Sequence, residues 1–251
     1  MLRLSLISCA LATGLFLGLT PTAALAEHDD DPLVIEVYGK GFQESEPDGH
    51  APVGVMGDHV HKEREWMLAY RYKQMFMGGL AKGTEHVSTG TVLANYMMAP
   101  LRMTGEMHMF GGMFGVTDDF TVMPMIPVIR KEMRMINRMG RQFSTKSEGI
   151  GDFRLSGLYR IIDVSHHNLL INFGVSFPTG SIDESDVTPT DPLGDNNLLY
   201  AMQLGSGTYD LLPGLTYRGY EGAWSWGAQL TGTLRLGENS NDYRLGDRLL
   251  A

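Results

Sequence analysis

Methionine and histidine are the residues of this chain whose types and spacing most directly suggest chemistry. The 251 residues include 17 methionines and 8 histidines. Thioether sulfur is a soft ligand suited to Cu(I) or Ag(I), and imidazole also binds copper. His59 and His61 are two residues apart, so on an extended chain their side chains point the same way. The run Met107-His108-Met109 mixes the two ligand types. These spacings suggest a protein that binds or passes soft metal ions.

The elements that would position these residues are β-strands. Between Glu65 and Lys73 the even positions are bulky and apolar, and the odd positions are small, flexible or basic. This alternation predicts a strand with one face suited to lipid and the other suited to water. Residues 152–160 and 169–177 repeat the pattern. About eight strands are expected in all, the others at about 103–115, 119–129, 208–219, 223–236 and from 243 to the end.

The lengths of the predicted connections alternate between long and short. Long gaps are expected at 78–102, 130–150, 178–207 and 237–242, and short turns at 116–119, 163–168 and 220–223. Short periplasmic turns and longer outer loops are typical of outer-membrane barrels. We therefore predict an all-β fold, an antiparallel transmembrane β-barrel; a soluble β-protein would also alternate, but it has no reason to segregate its loops by length.

The alternation also assigns each candidate residue to a face. In the strand at 103–115 the even positions are polar, so the methionines at 103, 107, 109 and 113 are predicted to face lipid, whereas Met123 and Met125 point inward. Methionine as a flexible apolar filler explains the first set without a metal. The predicted metal ligands are His59, His61, Met123 and Met125, for Cu(I) or Ag(I); the alternative is that the histidines simply meet water. The residues predicted to line a wet lumen are Arg71, Lys73, Glu106, His108, Arg154, Arg160 and Asn172.

The two ends of the chain predict export and an unfinished barrel. Arg3, an apolar run and Ala24-Leu25-Ala26 predict a signal peptide at 1–26. Residues 27–64 read as an irregular periplasmic segment, and 65–251 as the barrel. Outer-membrane barrels usually end on an aromatic residue that the barrel-insertion machinery reads. This chain stops at Ala251, inside a predicted strand, so we expect the barrel to be incomplete at its C-terminus.

Composition excludes several functions. Cys9 is the only cysteine and lies in the predicted signal peptide, which excludes disulfides and thiol catalysis. A net charge of −9 argues against a nucleic-acid partner. No spacing singles out a catalytic triad, so no catalytic residue or enzyme is predicted, although a hydrolase built around His108 stays open. The basic residues between 130 and 141 are predicted to form an outer loop that meets lipopolysaccharide phosphates, or a solvated charged loop.

Five segments resemble a known family in their order and spacing. They are Ala51-Pro52-Val53-Gly54-Val55-Met56-Gly57-Asp58-His59-Val60-His61-Lys62, Gly115-Val116-Thr117-Asp118-Asp119, Gly151-Asp152-Phe153, Phe177-Pro178-Thr179-Gly180 and Gln203-Leu204-Gly205-Ser206-Gly207-Thr208-Tyr209-Asp210. Together they resemble the outer-membrane proteins described as "MetA-pathway of phenol degradation" barrels, often labelled transporter. The resemblance implies a barrel that moves small molecules, with no agreed catalytic residues to carry over.

The expected function is passage of a small solute, an aromatic compound or a soft metal ion, across the outer membrane of a Gram-negative-type cell. The family resemblance suggests the aromatic compound, and the methionine content suggests the metal. Two alternatives remain: a non-conducting structural or metal-binding barrel, and a barrel-type hydrolase.

Overall fold

A computed structural model describes residues 4–5 and 55–251, except residues 165, 190, 222 and 223. Apart from Leu4 and Ser5, the predicted signal peptide and residues 27–54 lie outside the described residues. The described chain is mostly antiparallel β-sheet, which confirms the all-β class. In chain order the elements are β1 (Leu4–Ser5), β2 (Trp66–Gly78), β3 (Leu80–Lys82), β4 (Glu85–Val87), α1 (Thr89–Asn95), β5 (Met98–Thr117), β6 (Phe120–Asn137), β7 (Gln142–Ile150), β8 (Phe153–Val164), β9 (His167–Phe177), a 3₁₀ turn (Tyr200–Met202), β10 (Tyr209–Leu211), β11 (Gly214–Glu221), β12 (Trp224–Leu236) and β13 (Arg248–Leu250).

Ten of the strands form one sheet. Its order is β10-β12-β11-β9-β8-β6-β5-β2, with β7 added to β6, β13 added to β12, and a further ladder between β10 and β9. A second, small sheet contains β1, β3 and β4. Within the described residues, no ladder joins β2 to the strands at the other end of the large sheet.

The large sheet is strongly curved. Arg71 of β2 donates from Nη1 to the carbonyl of Val55 (3.2 Å), and Gln229 of β12 donates from Nε2 to the carbonyl of Met56 (2.9 Å). The two strands are six ladder steps apart, which in a flat sheet would separate them by roughly 29 Å. Because their side chains reach consecutive carbonyls, β2 and β12 must face each other across a concave side.

We call the concave side, which carries Arg71 and Gln229, the inner face, and the opposite side the outer face. The outer face is apolar over a broad band, and its side chains are open to the surroundings: Trp66 is 70% exposed, Leu68 77% and Trp224 79%. Along β6 the outward positions from Phe120 to Val128 are all apolar. The inner face is largely buried, in part under the segment that precedes β2 and in part under the loop 178–207.

The prediction of a loop at 130–150 is wrong. Strand β6 continues to Asn137, and β7 returns beside it as the second arm of a hairpin. Charged residues alternate with buried ones here, and the outward charges pair across the hairpin, Arg130 with Glu148 (3.6 Å) and Lys146 with Glu132 (3.9 Å). The many charged residues led to the prediction of a loop, although inward and outward residues still alternate with a period of two.

The other predicted strands agree in place but differ in length. The predicted strand at 208–219 is split into β10 and β11 around Pro213, whose missing N–H cannot join a ladder. The predicted loop at 78–102 contains β3, β4 and α1. The division of this predicted strand into two and the additional strand β7 raise the number of strands in the large sheet from the eight expected to ten. The short turn between β5 and β6 lies where the sequence predicts it.

Candidate functional site

The segment 55–62, which we call the plug segment, lies across the inner face. Gly57 to His61 are all buried. Asn172 of β9 is within 3.5 Å of the carbonyl of Gly57, and Arg218 of β11 donates to the carbonyl of Asp58 (3.1 Å). With Arg71 and Gln229, these contacts tie the segment to strands along the whole length of the sheet.

Two segments that carry the family resemblance meet at the end of the plug segment. The backbone N–H of His61 donates to Thr121 Oγ1 (2.8 Å), and that of Glu63 donates to Asp118 Oδ1 (2.9 Å). Lys62 passes so close to Gly115 that a Cβ there would lie 1.9 Å from the Lys62 carbonyl oxygen. Only glycine fits at position 115 while the segment is docked.

The other three segments converge at the opposite end of the sheet, around Asp152. Its carboxylate accepts hydrogen bonds from the backbone N–H of Gly180 (3.0 Å) and from both the N–H (2.8 Å) and the hydroxyl (2.9 Å) of Ser206. Thr179 completes the junction by donating to the carbonyl of Gly151 (3.1 Å). The junction closes the long loop 178–207 against the sheet.

All the methionines of β2, β5 and β6 lie on the inner face. The pairing register places Met67 beside Met113, and it places Met103 between Met77 and Met133. Three methionines come from β2, five from β5 and four from β6; they are Met67, Met75, Met77, Met98, Met103, Met107, Met109, Met113, Met123, Met125, Met133 and Met135. The prediction that Met103, Met107, Met109 and Met113 face lipid is therefore wrong.

A cavity of about 450 Å³ lies between the plug segment and these strands. Met56 enters its wall from the plug segment, together with Asp58 and His59. Arg71 lines the same cavity. Five methionines of the sheet are also part of the lining: Met67, Met109, Met113, Met123 and Met125. We call this space the plug cavity.

A second cavity, of about 280 Å³, lies under the loop 178–207. We call it the loop cavity. Met202 of the 3₁₀ turn is 1% exposed and packs with Met103, Met133 and Met135. Asp191 lies in the wall; the backbone N–H of Asn196 donates to it (2.8 Å) and lowers the pKa of this carboxyl. The loop cavity is therefore apolar inside, with one carboxylate in its wall.

The structure brings together three of the four predicted metal ligands. His59, Met123 and Met125 line the plug cavity. His61 lies next to His59, with the ring centroids 4.9 Å apart in an edge-to-face arrangement. The Asp58 carboxylate lies 3.0 Å from His59 Nδ1 and so orients its ring. Both histidines are buried, so they do not simply meet bulk water.

Five of the residues predicted to line a lumen lie on the inner face: Arg71, Lys73, Arg154, Arg160 and Asn172. Arg160 is at the end of β8, where it binds Asp119 (3.0 Å) and Asp163 (3.0 Å). Glu106 and His108 are on the outer face, so their prediction is wrong. The register pairs Glu106 with Gln74 and His108 with Tyr72.

His108 is held between two tyrosines on that outer face. Its Nδ1 is 2.7 Å from the hydroxyl of Tyr70, and its ring lies 5.1 Å from that of Tyr72. The polar residues at 102, 104 and 106 continue along the same side of β5, beyond the apolar band. These polar residues led to the wrong prediction that the even positions of β5 face a lumen. Alternation alone does not distinguish a polar residue in a water-filled lumen from a polar residue on the outer face beyond the apolar band.

The basic residues between 130 and 141 do not form one patch. Lys131 points inward and donates to the carbonyls of Ala201 (3.0 Å) and Gln203 (2.5 Å). Arg138 donates to carbonyls at the end of α1, those of Leu93 (2.8 Å) and Ala94 (3.1 Å). Cations commonly satisfy the free carbonyls of a helix end. Two of the five basic residues, Lys131 and Arg138, are thus used in contacts within the protein.

Sequence reasoning missed several inward polar residues. Arg218 and Thr216 of β11 are buried, as is Asp210 of β10, which pairs with Arg235. The alternation of β11 and β12 marks these positions as inward, but nothing in the sequence identifies their partners. Asp58 is the clearest case, since its partner Arg218 is 160 positions away.

Taken together, the fold and the site define an all-β protein with a curved sheet, an apolar outer face and a plugged, methionine-lined inner face. Among the described residues no helix has the length and apolar character needed to cross a membrane. In comparisons with known proteins, no family model matches this chain and no curated protein matches it.

Proposed function

We propose that this protein is an outer-membrane β-barrel that lets a small solute pass along its inner face, and that the plug segment gates this path. The supporting observation is the contrast between the two faces of the sheet. Exposed aromatic and aliphatic side chains cover the outer band, and polar groups, charges and thioethers cover the inner face. A contiguous apolar surface of this size is unfavourable in water and favourable against lipid.

The dimensions of the apolar band support the same placement. On β6 the band covers about nine residues, from Phe120 to Val128. A tilted strand needs roughly 9–11 residues to cross the hydrocarbon core. Beyond Val128 the outward residues become charged at Arg130 and Glu132, as expected where a strand leaves the lipid. In this proposal the chain is exported through its signal peptide and inserted by the barrel-insertion machinery, and it meets lipopolysaccharide on its outer side.

Membrane insertion is tested by placing a charge on the outer face. Leu230 lies in the middle of β12 on that face and is 44% exposed. In a bilayer, Leu230→Arg is expected to lower the free energy of unfolding by about 2–4 kcal/mol, because the guanidinium would lie in hydrocarbon. Denaturant titration of the protein in lipid vesicles measures the change.

Leu193 provides the matched control. It is an 82% exposed leucine in the loop 178–207, so Leu193→Arg should change the stability by less than about 0.5 kcal/mol. Equal and small effects of the two substitutions in vesicles would contradict the membrane placement, since a water-facing surface treats both positions alike.

Solute passage is tested by single-channel recording in planar bilayers. The full chain should give discrete current steps, interrupted by closures when the plug segment occupies the inner face. A protein that is folded in vesicles yet passes neither ions nor small neutral solutes would be the non-conducting structural barrel. Hydrolytic activity of the same preparation, lost on His108→Ala, would instead favour the hydrolase.

A further inference from the structure

We propose that the plug cavity binds a soft monovalent cation, Cu(I) or Ag(I), through methionine sulfurs, and that this ion is the solute; the second half of the inference rests on the proposed function. The plug cavity is lined by six methionines and by His59. Neutral thioethers bind soft, polarisable cations and bind hard ions such as Mg²⁺ or Ca²⁺ weakly.

The methionines of the sheet are segregated to one face. Strands β2, β5 and β6 together place twelve methionines on the inner face and none on the outer face. The outward positions that need apolar groups use Trp, Leu, Tyr, Phe, Ile and Val instead. A mere filler of apolar space would serve on either face. Methionine is used on the face that also carries charged residues, which indicates that its sulfur atom has a role as a ligand.

The plug cavity lies where methionines of neighbouring strands and of the plug segment meet. Met67 and Met113 are direct cross-strand partners, and Met125 is on the next strand, β6. Adjacent strands are about 4.8 Å apart, a distance that two flexible methionine side chains span easily. Met56 and His59 close the site from the plug segment. Sulfur donors therefore surround the space from the strands on one side and from the plug on the other.

The lining of the plug cavity carries one acidic and one basic side chain. Arg71 and Asp58 have opposite charges, so the charged side chains of the plug cavity cancel. A site for a hard divalent ion would require several carboxylates or histidines. In the part of the chain that the structure describes, no group of three or more His, Cys, Asp or Glu residues could hold a metal ion. Thioether ligands need no such group, and they suit a monovalent ion.

The methionines also connect the two cavities. Between the plug cavity and the loop cavity the inner face carries Met107 and Met75, followed by the row of Met77, Met103 and Met133. Conduction requires sites that bind well enough to admit an ion and weakly enough to release it. Neutral sulfur ligands in series satisfy both conditions for a soft cation, and the inward side chains of Lys73, which pairs with Met107, and of Lys131 lie beside them.

The test uses silver nitrate as a redox-stable probe in chloride-free buffer, with the full chain refolded in detergent. Met123→Leu combined with Met125→Leu removes two sulfurs and preserves volume and apolar character, so the fold is retained. We expect the Kd for Ag(I) to rise roughly tenfold or more. Isotope-labelled methionine methyl groups should shift on silver addition at the inner-face residues and remain unchanged at Met139, which is 85% exposed in the β6–β7 turn.

The matched control is Met97→Leu combined with Met139→Leu, which removes two exposed sulfurs outside the inner-face set. It should leave the Kd for Ag(I) unchanged. Equal silver affinity in both double variants would overturn the inference. So would methyl shifts caused by phenol but not by silver, which would identify the solute as an aromatic compound. A conducting protein without a silver site refutes only this inference. A silver-binding protein without conductance refutes the proposed passage, and with it the claim that the ion is the solute, but leaves the silver site in place.

Discussion

Arg218→Met should release the plug segment from the inner face and increase the single-channel conductance severalfold. The Arg218 side chain is buried and donates to the carbonyl of Asp58, with the Asp58 carboxylate 3.7 Å away. Removing one partner of a buried ion pair costs about 3–5 kcal/mol, and Asp58 would lose the Arg218 guanidinium while keeping Arg71 and His59 nearby. The segment can avoid that cost by leaving the cavity, where Asp58 regains water. Planar-bilayer recording measures the change in current.

Limited proteolysis provides a second measurement of the same release. Lys62 and Arg64 are trypsin sites at the end of the plug segment. Cleavage after Lys62 should be faster in Arg218→Met, because the backbone there is no longer held over Gly115. Arg244→Met is the control, since Arg244 pairs with Asp247 (3.1 Å) on the surface, and it should change neither conductance nor cleavage. If Arg218→Met unfolds the sheet instead of opening it, the heat-resistant mobility in detergent gels will be lost together with the current.

Asp152→Ala should detach the loop 178–207 while leaving the sheet assembled. The Asp152 carboxylate accepts three hydrogen bonds, all from Gly180 and Ser206 at the two ends of this loop. Hydrogen bonds to a charged acceptor contribute about 1.5–3 kcal/mol each, and their joint loss should cost about 3–5 kcal/mol at this junction. Asp195→Ala, an exposed aspartate in the same loop, should change stability by less than about 0.5 kcal/mol.

Oxidation of Met202 reports the detachment directly. Met202 is part of this loop and is almost completely buried against the sheet, whereas Met139 is open. With dilute peroxide, Met202 of Asp152→Ala should be oxidised at a rate approaching that of Met139, and mass spectrometry resolves the two sites. If Met202 stays protected in Asp152→Ala, the loop is held by packing against Met103 and Met133 and not by the carboxylate.

The sequence predicted the strands well because a period of two is a local property. It placed β2, β8 and β9 and their faces correctly, and it placed Met123 and Met125 on the inner face. It misassigned β5 because Arg102, Glu106 and His108 are polar and yet point outward. A polar residue on the outer face is tolerated wherever the strand extends past the apolar band, and one sequence does not show where that band ends.

The site was predicted only in part, because its partners are distant along the chain. His59, Met123 and Met125 were candidates from their chemistry and from the alternation of the strands, whereas Met109 and Met113 were wrongly predicted to face lipid. The plug segment could not be placed, since Gly57, Asp58 and Met56 are held by Asn172, Arg218 and Gln229, and no periodicity links residues so far apart. The junction at Asp152 was present as three motifs, but only the fold shows that they meet.

The position of the plug segment also constrains the order in which the molecule assembles. Met56 and Gln229 are 173 positions apart, so their hydrogen bond has one of the longest sequence separations in the structure. Contacts of this kind form late, because the loop-closure entropy must be overcome first. The segment precedes every strand of the large sheet along the chain, yet its binding surface is complete only when β11 and β12 have joined. We therefore expect the plug segment to dock last as the protein folds. Its release from the inner face is then the first local opening expected of the folded protein.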